Sequence, residues 1–291
     1  MAAAGVDVVR GDVLDVASLV QAMDGCGVVY HAAGVNEFCV RDAEPMFRVN
    51  VDGSANVVAA AARAGVGRVV YTSSAVTLGE VGGTMGREDS AHRGSFLSHY
   101  ERSKYDAERV VWRDAARLGV EVVSVNPSSV QGPGRASGTG KVLVLYLRGK
   151  LKVWVDTTIS LVDLDDCADG HVRAEAAGEG GRRYVLSGVS LSSAELTEVM
   201  GRVAPGVRPP RIAPAAGVSG VVSVAAALAR VRGRTPMVCR ESLRTLLHGH
   251  RYDGSLAAQA LGVRYRPVEE TLRRTAEWLV EQGKAPASAL G

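Results

Sequence analysis

Two apolar periods alternate along the first half of the chain. Val6 to Val9 is a short apolar run that reads as a strand, and Val16, Leu19, Val20 and Met23 then follow the i, i+3, i+4, i+7 spacing of an amphipathic helix. Asp15 is placed to cap that helix. Val28 to Ala32 predicts a strand, Glu44 to Ala64 a long helix stopped by Gly65, and Arg68 to Thr72 a further strand. A helix carrying Tyr100 runs to Leu118 before Gly119, and Val120 to Val125 is a strand ending at Asn126-Pro127. Strands that are apolar on both faces and alternate with helices predict an α/β chain with a parallel sheet covered on both sides.

From Lys141 onward the pattern is less regular. Val142 to Leu147, Ser192 to Val203, Val218 to Arg230 and Val268 to Gln282 read as helices, with short strands such as Tyr184 to Ser187 between them. The expected division is a main domain over 1–140 and a smaller lobe over 141–291, with 155–170 returning to the main sheet. The uncharged stretch Ile212 to Ala229 contains Pro214 and little Leu or Phe. It reads as a buried helix, with peripheral membrane contact as the alternative and no integral span.

With 291 residues and 46% hydrophobic positions, the chain is long enough for a sizeable core. Its 34 basic and 31 acidic residues leave a formal charge of +3, too balanced to argue for nucleic acid. Cys26, Cys39, Cys167 and Cys239 have neither metal nor redox spacing and read as unpaired thiols of a cytoplasmic protein. His248-Gly249-His250 lacks a third ligand at a plausible spacing and reads as surface, so no metal is expected. Asp163, Asp165 and Asp166 read as helix capping before Ala168.

Tyr100 and Lys104 stand four apart, which on a helix presents a phenol and an ammonium on one face. Ser74, in Thr72-Ser73-Ser74 at the end of a strand, would add a hydroxyl. A tyrosine with a pKa near 10 must be stabilised as phenolate by roughly 4 kcal/mol to act as a base near pH 7. Lys104 would contribute part of that through its charge.

These residues sit in a longer series: Gly11-Asp12-Val13-Leu14-Asp15, His31-Ala32-Ala33-Gly34, Asn50-Val51-Asp52-Gly53, Asn126 to Gly134, and Leu161 to Asp166. Together they resemble the extended short-chain dehydrogenase/reductase family, also called the NAD-dependent epimerase/dehydratase family. Trp154 to Thr157, Arg183 to Gly188 and Gly262 to Glu270 look most like its dihydroflavonol 4-reductase-like branch, which includes hopanoid-associated sugar epimerases. The resemblance implies a Rossmann-like doubly wound sheet with a smaller substrate lobe. It also implies NAD or NADP as cofactor, a small-molecule substrate, and catalysis by Ser74, Tyr100 and Lys104. By the same likeness Asp12 and Val13 would meet the adenine, and Ala32, Ala33 and Gly34 the cofactor's middle. Pro127 to Val130 would pack on the nicotinamide, with Ser73 beside it. Asn50 either orders the strand ends beside the cofactor or is a buried structural asparagine. Thr77, the 80–98 segment with its glycine-rich start at Gly79, Ser137, Thr139 and Trp154 are substrate-pocket candidates.

One departure stands out. Family members open with a strand, a glycine-rich turn and a helix that hold the cofactor pyrophosphate, and Met1 to Val9 has no counterpart. Val6 to Val9 reads as the approach to a third strand of an N-terminally incomplete sheet, or as a substitute partner for Val28 to Ala32. Cofactor binding is therefore expected to be impaired. Three readings stay open: a reductase, an epimerase that keeps its NAD bound, and a cofactor-free remnant acting as a binding protein. Ser74-Ala75-Val76 lacks the Asp-Glu pair of sugar dehydratases, which disfavours dehydration. A homodimer through the helices at 44–64 and 100–118 is expected, unless the face of Ala55, Ala59 and Ala62 packs on its own sheet.

Overall fold

The computed structural model describes residues 5–136, 138–214 and 239–291. Helix α1 (Val16–Ala22) starts where the Asp15 side chain accepts from the backbone N–H groups of Ala17 and Ser18. Strand β1 (Val28–His31) follows, then a short helix α2 (Glu44–Phe47), a π-helical turn over Arg48–Asp52, and α3 (Gly53–Ala64). The single long helix expected over 44–64 is thus interrupted where Asn50 is held inward by other groups. A wider turn of this kind often marks a functional position. Gly53 fits there because a Cβ would come within 2.8 Å of Val13 Cγ2, so the Asp12–Asp15 turn lies directly on the start of α3.

Strand β2 (Arg68–Thr72), helix α4 (His99–Leu118) and strand β3 (Glu121–Pro127) continue the βαβ order. Gly119 accepts the left-handed conformation that ends α4, at φ 70°. With β7 (Arg183–Leu186) these strands make a parallel sheet in the order β1-β2-β3-β7, paired as Val29 with Val69, Val69 with Val122, and Val125 with Tyr184. Alternate residues face opposite layers, as a strand requires. Val69, Tyr71 and Val122 pack under α1, α3 and α4 with Leu19, Val57, Ala107 and Val111. Val70, Val123 and Val125 pack on the other side with Ala174, Ala257 and Leu261.

Val6 to Val9 forms no strand. Val6, Val8 and Val9 are exposed, and among the described residues nothing pairs with the outer edge of β1. The substitute pairing is not made, because a strand forms only where a neighbour takes up its hydrogen bonds.

Beyond β4 (Ser129–Gln131) come α5 (Gly140–Leu147), β5 (Val153–Val155), β6 (Thr158–Asp163), α6 (Leu164–Ala177), β8 (Val189–Ser192), α7 (Ser193–Val203) and β9 (Arg211–Ala213). Of residues 155–170, strand β6 joins β4 and β8 in a separate three-stranded sheet, while α6 covers the four-stranded one. Leu143, Tyr146, Leu147, Met200, Leu272 and Leu279 form a second apolar core. The stretch expected to form a helix over 218–230 lies outside the described residues, as does most of 212–229. No helix among the described residues is long and apolar enough to cross a membrane.

Candidate active site

The C-terminal ends of the parallel strands open on one side, where α/β sheets bind ligands. The first turn of α4 is fixed by Ser98, whose hydroxyl accepts from the backbone N–H of Glu101, and Tyr100 and Lys104 follow on one face. Ser74 ends the segment after β2 and starts a turn of 3-10 helix, and its hydroxyl is near enough to Tyr100 to oppose the effect of burial on that phenol. Phe38 lies across the Tyr100 ring with centroids 6.0 Å apart.

Burial pushes the Tyr100 phenol up from its ordinary value, opposed by the Ser74 hydroxyl and by the charge of Arg135. That direction favours the protonated phenol near neutral pH. Lys104 is buried, and its ammonium donates to Thr72 O at 2.9 Å and to the Tyr71 hydroxyl at 3.2 Å. Burial lowers its pKa to about 8, and the carboxylate of Glu108, one turn further along α4, opposes that fall.

Glu108 is the hub that sequence reasoning missed. It is buried, and Ser73 Oγ donates to its carboxylate, with Thr77 Oγ1 at 2.9 Å, Asn126 Nδ2 at 2.8 Å and Arg183 Nη1 at 3.1 Å. Two expectations are corrected by this network. The Ser73 hydroxyl and the Thr77 side chain are directed to Glu108 beneath the site, because a buried carboxylate must be met by donors. Only its position four residues after Lys104 signalled that it shares the face of Tyr100 and Lys104. Arg135 was also missed: its loop position gave no sign of Tyr100, yet its charge acts on that phenol and its Nε is buried without a partner.

The other candidates are distributed unevenly. Asn50 accepts from Val35 N at 2.7 Å and donates to Val35 O and Ser103 Oγ, both at 2.9 Å, so it ties the loop after β1 to α4. Ala32, Ala33 and Gly34 line an exposed rim, and Asp12 is exposed with its carboxylate capping Leu14 N. Pro127 and Val130 stand at the end of β3 and in β4, where the buried Ser128 hydroxyl has no partner among the described residues. Thr139 accepts from Ser129 Oγ and Gln131 Nε2, both at 2.8 Å, which brings it beside that strand. Trp154 is corrected: it is buried in the apolar core of the smaller lobe, where Leu143, Met200 and Leu272 gather. Ser137 lies outside the described residues.

At the inner half, the Ser128 hydroxyl, unpartnered among the described residues, and the buried Lys104 ammonium are polar groups that a nicotinamide cofactor would meet. The outer half offers an exposed rim and the open edge of β1.

Two further corrections concern residues read as surface or unpaired. Cys39 and Cys239, 200 positions apart, are joined in a disulfide, a pairing linear spacing does not reveal; Cys26 and Cys167 are free. His248 and His250 are mostly buried against Glu80.

Comparison with known proteins places this geometry. The family model of the NAD dependent epimerase/dehydratase family matches residues 2–187. A dihydroflavonol 4-reductase-like protein of Synechocystis sp. is 32% identical, over 96% of this chain and 83% of its own. Cinnamoyl-CoA reductase 2 of Arabidopsis thaliana is 33% identical over 67% of this chain and 61% of its own. Among solved structures, a nucleoside-diphosphate-sugar epimerase from Pseudomonas aeruginosa superimposes with a TM-score of 0.74 at 25% identity, covering 94% of this chain and 83% of that one.

Proposed function

Because the chain belongs to the NAD dependent epimerase/dehydratase family of enzymes, with NAD or NADP as cofactor, we propose that it reduces a carbonyl group of a small substrate. Tyr100 is the proton donor of this reading. The observation that carries it is the Tyr100 phenol, which burial favours in its protonated form, with Ser74 beside it and a buried ammonium one helical turn along α4. A protonated phenol at the reacting oxygen suits the reductive direction, in which that oxygen gains a proton. Ser74 hydrogen-bonds the same oxygen and steadies its developing negative charge. The nicotinamide supplies the hydride when bound. Lys104 holds the ribose and presents positive charge beneath the phenol, and Glu108 keeps that ammonium charged. Asp12, Val13 and Ala32 to Gly34 belong to the cofactor's outer half, and Thr139 to the substrate side of β4.

The names of the reductase relatives support this direction, and the similarity to a sugar-nucleotide epimerase supports a second. An epimerase would keep NAD bound and consume no external reductant. A homodimer belongs to the same reading, since Ala55, Ala59 and Ala62 are only half-buried in the single chain.

Tyr100→Phe keeps the ring and removes the proton. Carbonyl reduction by that variant is expected to fall by about 10²-fold or more, with unchanged circular dichroism. Turnover near that of the unaltered enzyme would remove Tyr100 from the chemistry.

A further inference from the structure

We infer that Glu80, His248 and His250 form a zinc site that clips the loop after Gly79 to the segment following the Arg240–His248 helix. A carboxylate oxygen and one nitrogen from each ring lie within 4.8 Å of one another. Glu80 Oε1 is 2.6 Å from His250 Nδ1 and 3.4 Å from His248 Nε2. Two imidazoles and one carboxylate are a donor set that suits Zn²⁺, and three protein ligands leave one position of a tetrahedral ion for a further donor.

Burial and charge carry the inference past proximity. Glu80 is 2% exposed, and among the described residues its Oε2 has no hydrogen-bond partner, nor has His250 Nε2. The guanidinium beside it, Arg93, is paired with the Glu101 carboxylate and donates to the Glu80 backbone carbonyl. Among the described residues Glu80 thus has no cation of its own other than the two histidines. A buried carboxylate is stabilised by a compensating cation, which a bound metal ion would supply.

The surroundings are those of a supported site. The Tyr252 hydroxyl is 2.8 Å from His250 Nδ1, and Gly86 bridges to Tyr252 through the backbone. Outer contacts of this kind orient metal ligands. The ion would fasten the same two segments that this single bridge joins, next to the Ala75–Leu78 turn that follows Ser74.

The test is a zinc titration of the whole chain, stripped of metal and free of any histidine tag, in competition with a chromogenic chelator. One equivalent of Zn²⁺ is expected to bind and to raise the thermal midpoint. Glu80→Gln and His250→Ala, checked for folding by circular dichroism, are expected to bind about 100-fold or more weakly and to lose the thermal shift. Absence of saturable binding by the unaltered chain overturns the inference without recourse to any variant. So does undiminished binding by the folded variants, which would move the zinc to another donor such as the exposed thiol of Cys26.

Discussion

The two ends of the proposed cofactor site are built on different physics. At the reaction end, Ser73, Ser74, Thr77, Glu108 and Asn126 are buried and joined by hydrogen bonds, and the buried Lys104 donates to Thr72 O and the Tyr71 hydroxyl beside them. At the outer end, Asp12 and Ala32 to Gly34 are exposed, and β1 has an open edge among the described residues. A buried polar network holds its geometry because each unmet donor would cost about 1–3 kcal/mol, whereas an exposed rim has water as an alternative partner. The reaction end is therefore preorganised by the chain itself, and the outer end is not.

Breaking the hub should have the largest effect. Glu108→Ala leaves the Ser73, Thr77 and Asn126 donors without their carboxylate, and is expected to destabilise the fold by about 3 kcal/mol or more, read from the urea unfolding midpoint. Glu108→Gln is the sharper variant, since it keeps an acceptor and removes the charge. Glu108 raises the pKa of Lys104 against burial, so its neutralisation should carry that pKa below about 8. The alkaline limb of kcat/KM should then move to lower pH. A limb that stays in place would mean that Glu108 supports the fold without tuning Lys104.

At the inner edge of the rim, His31 gives a smaller effect with a defined sign. It is buried against Ser54, with Nε2 2.9 Å from that hydroxyl, and burial together with the charge of Lys104 lowers its pKa from 6.5 to about 4. Between these values the unfolded chain holds a proton that the folded chain refuses. Stability therefore falls as pH drops from about 6.5 toward 4, by about 2 kcal/mol at pH 5. His31→Gln should flatten the difference in unfolding free energy between pH 7 and pH 5, whatever it does to the absolute value. An unchanged slope would assign the acid sensitivity to other groups.

The same contrast explains what could be read in advance. The placement of Tyr100 and Lys104 on one helix and of Ser74 beyond a strand end was legible because these are local features, and the apolar runs of β1, β2 and β3 predicted the sheet for the same reason. Glu108 carried no mark beyond its spacing, since its partners come from residues 73, 77, 126 and 183. His248 and His250 showed a two-residue spacing, but the third group, Glu80, lies 168 positions from His248. Cys39 and Cys239 are 200 apart. Trp154 resembled a pocket residue in its motif and is a core residue by packing. Val6 to Val9 had the composition of a strand without a neighbour to make it one. Each failure is one of long-range pairing, which periodicity does not encode.

The outer end yields the smallest expected effect and tests the comparison most directly. In a doubly wound sheet the pyrophosphate is held by backbone N–H groups at a glycine turn and a helix N-terminus beside the central strand. The described residues bring Lys104 and Ser128 to the inner half but only an exposed rim to the outer half. A single charge-assisted hydrogen bond contributes about 1.5–3 kcal/mol, so restoring even one is equivalent to about tenfold or more in affinity. Fusing a strand, glycine turn and helix ahead of Val6 should therefore tighten NADPH binding by at least about tenfold over these 291 residues. Fluorescence titration of NADPH into both forms measures the difference. Equal micromolar affinity in the two would mean that the buried end alone holds the cofactor, and the open edge of β1 would then have no bearing on binding.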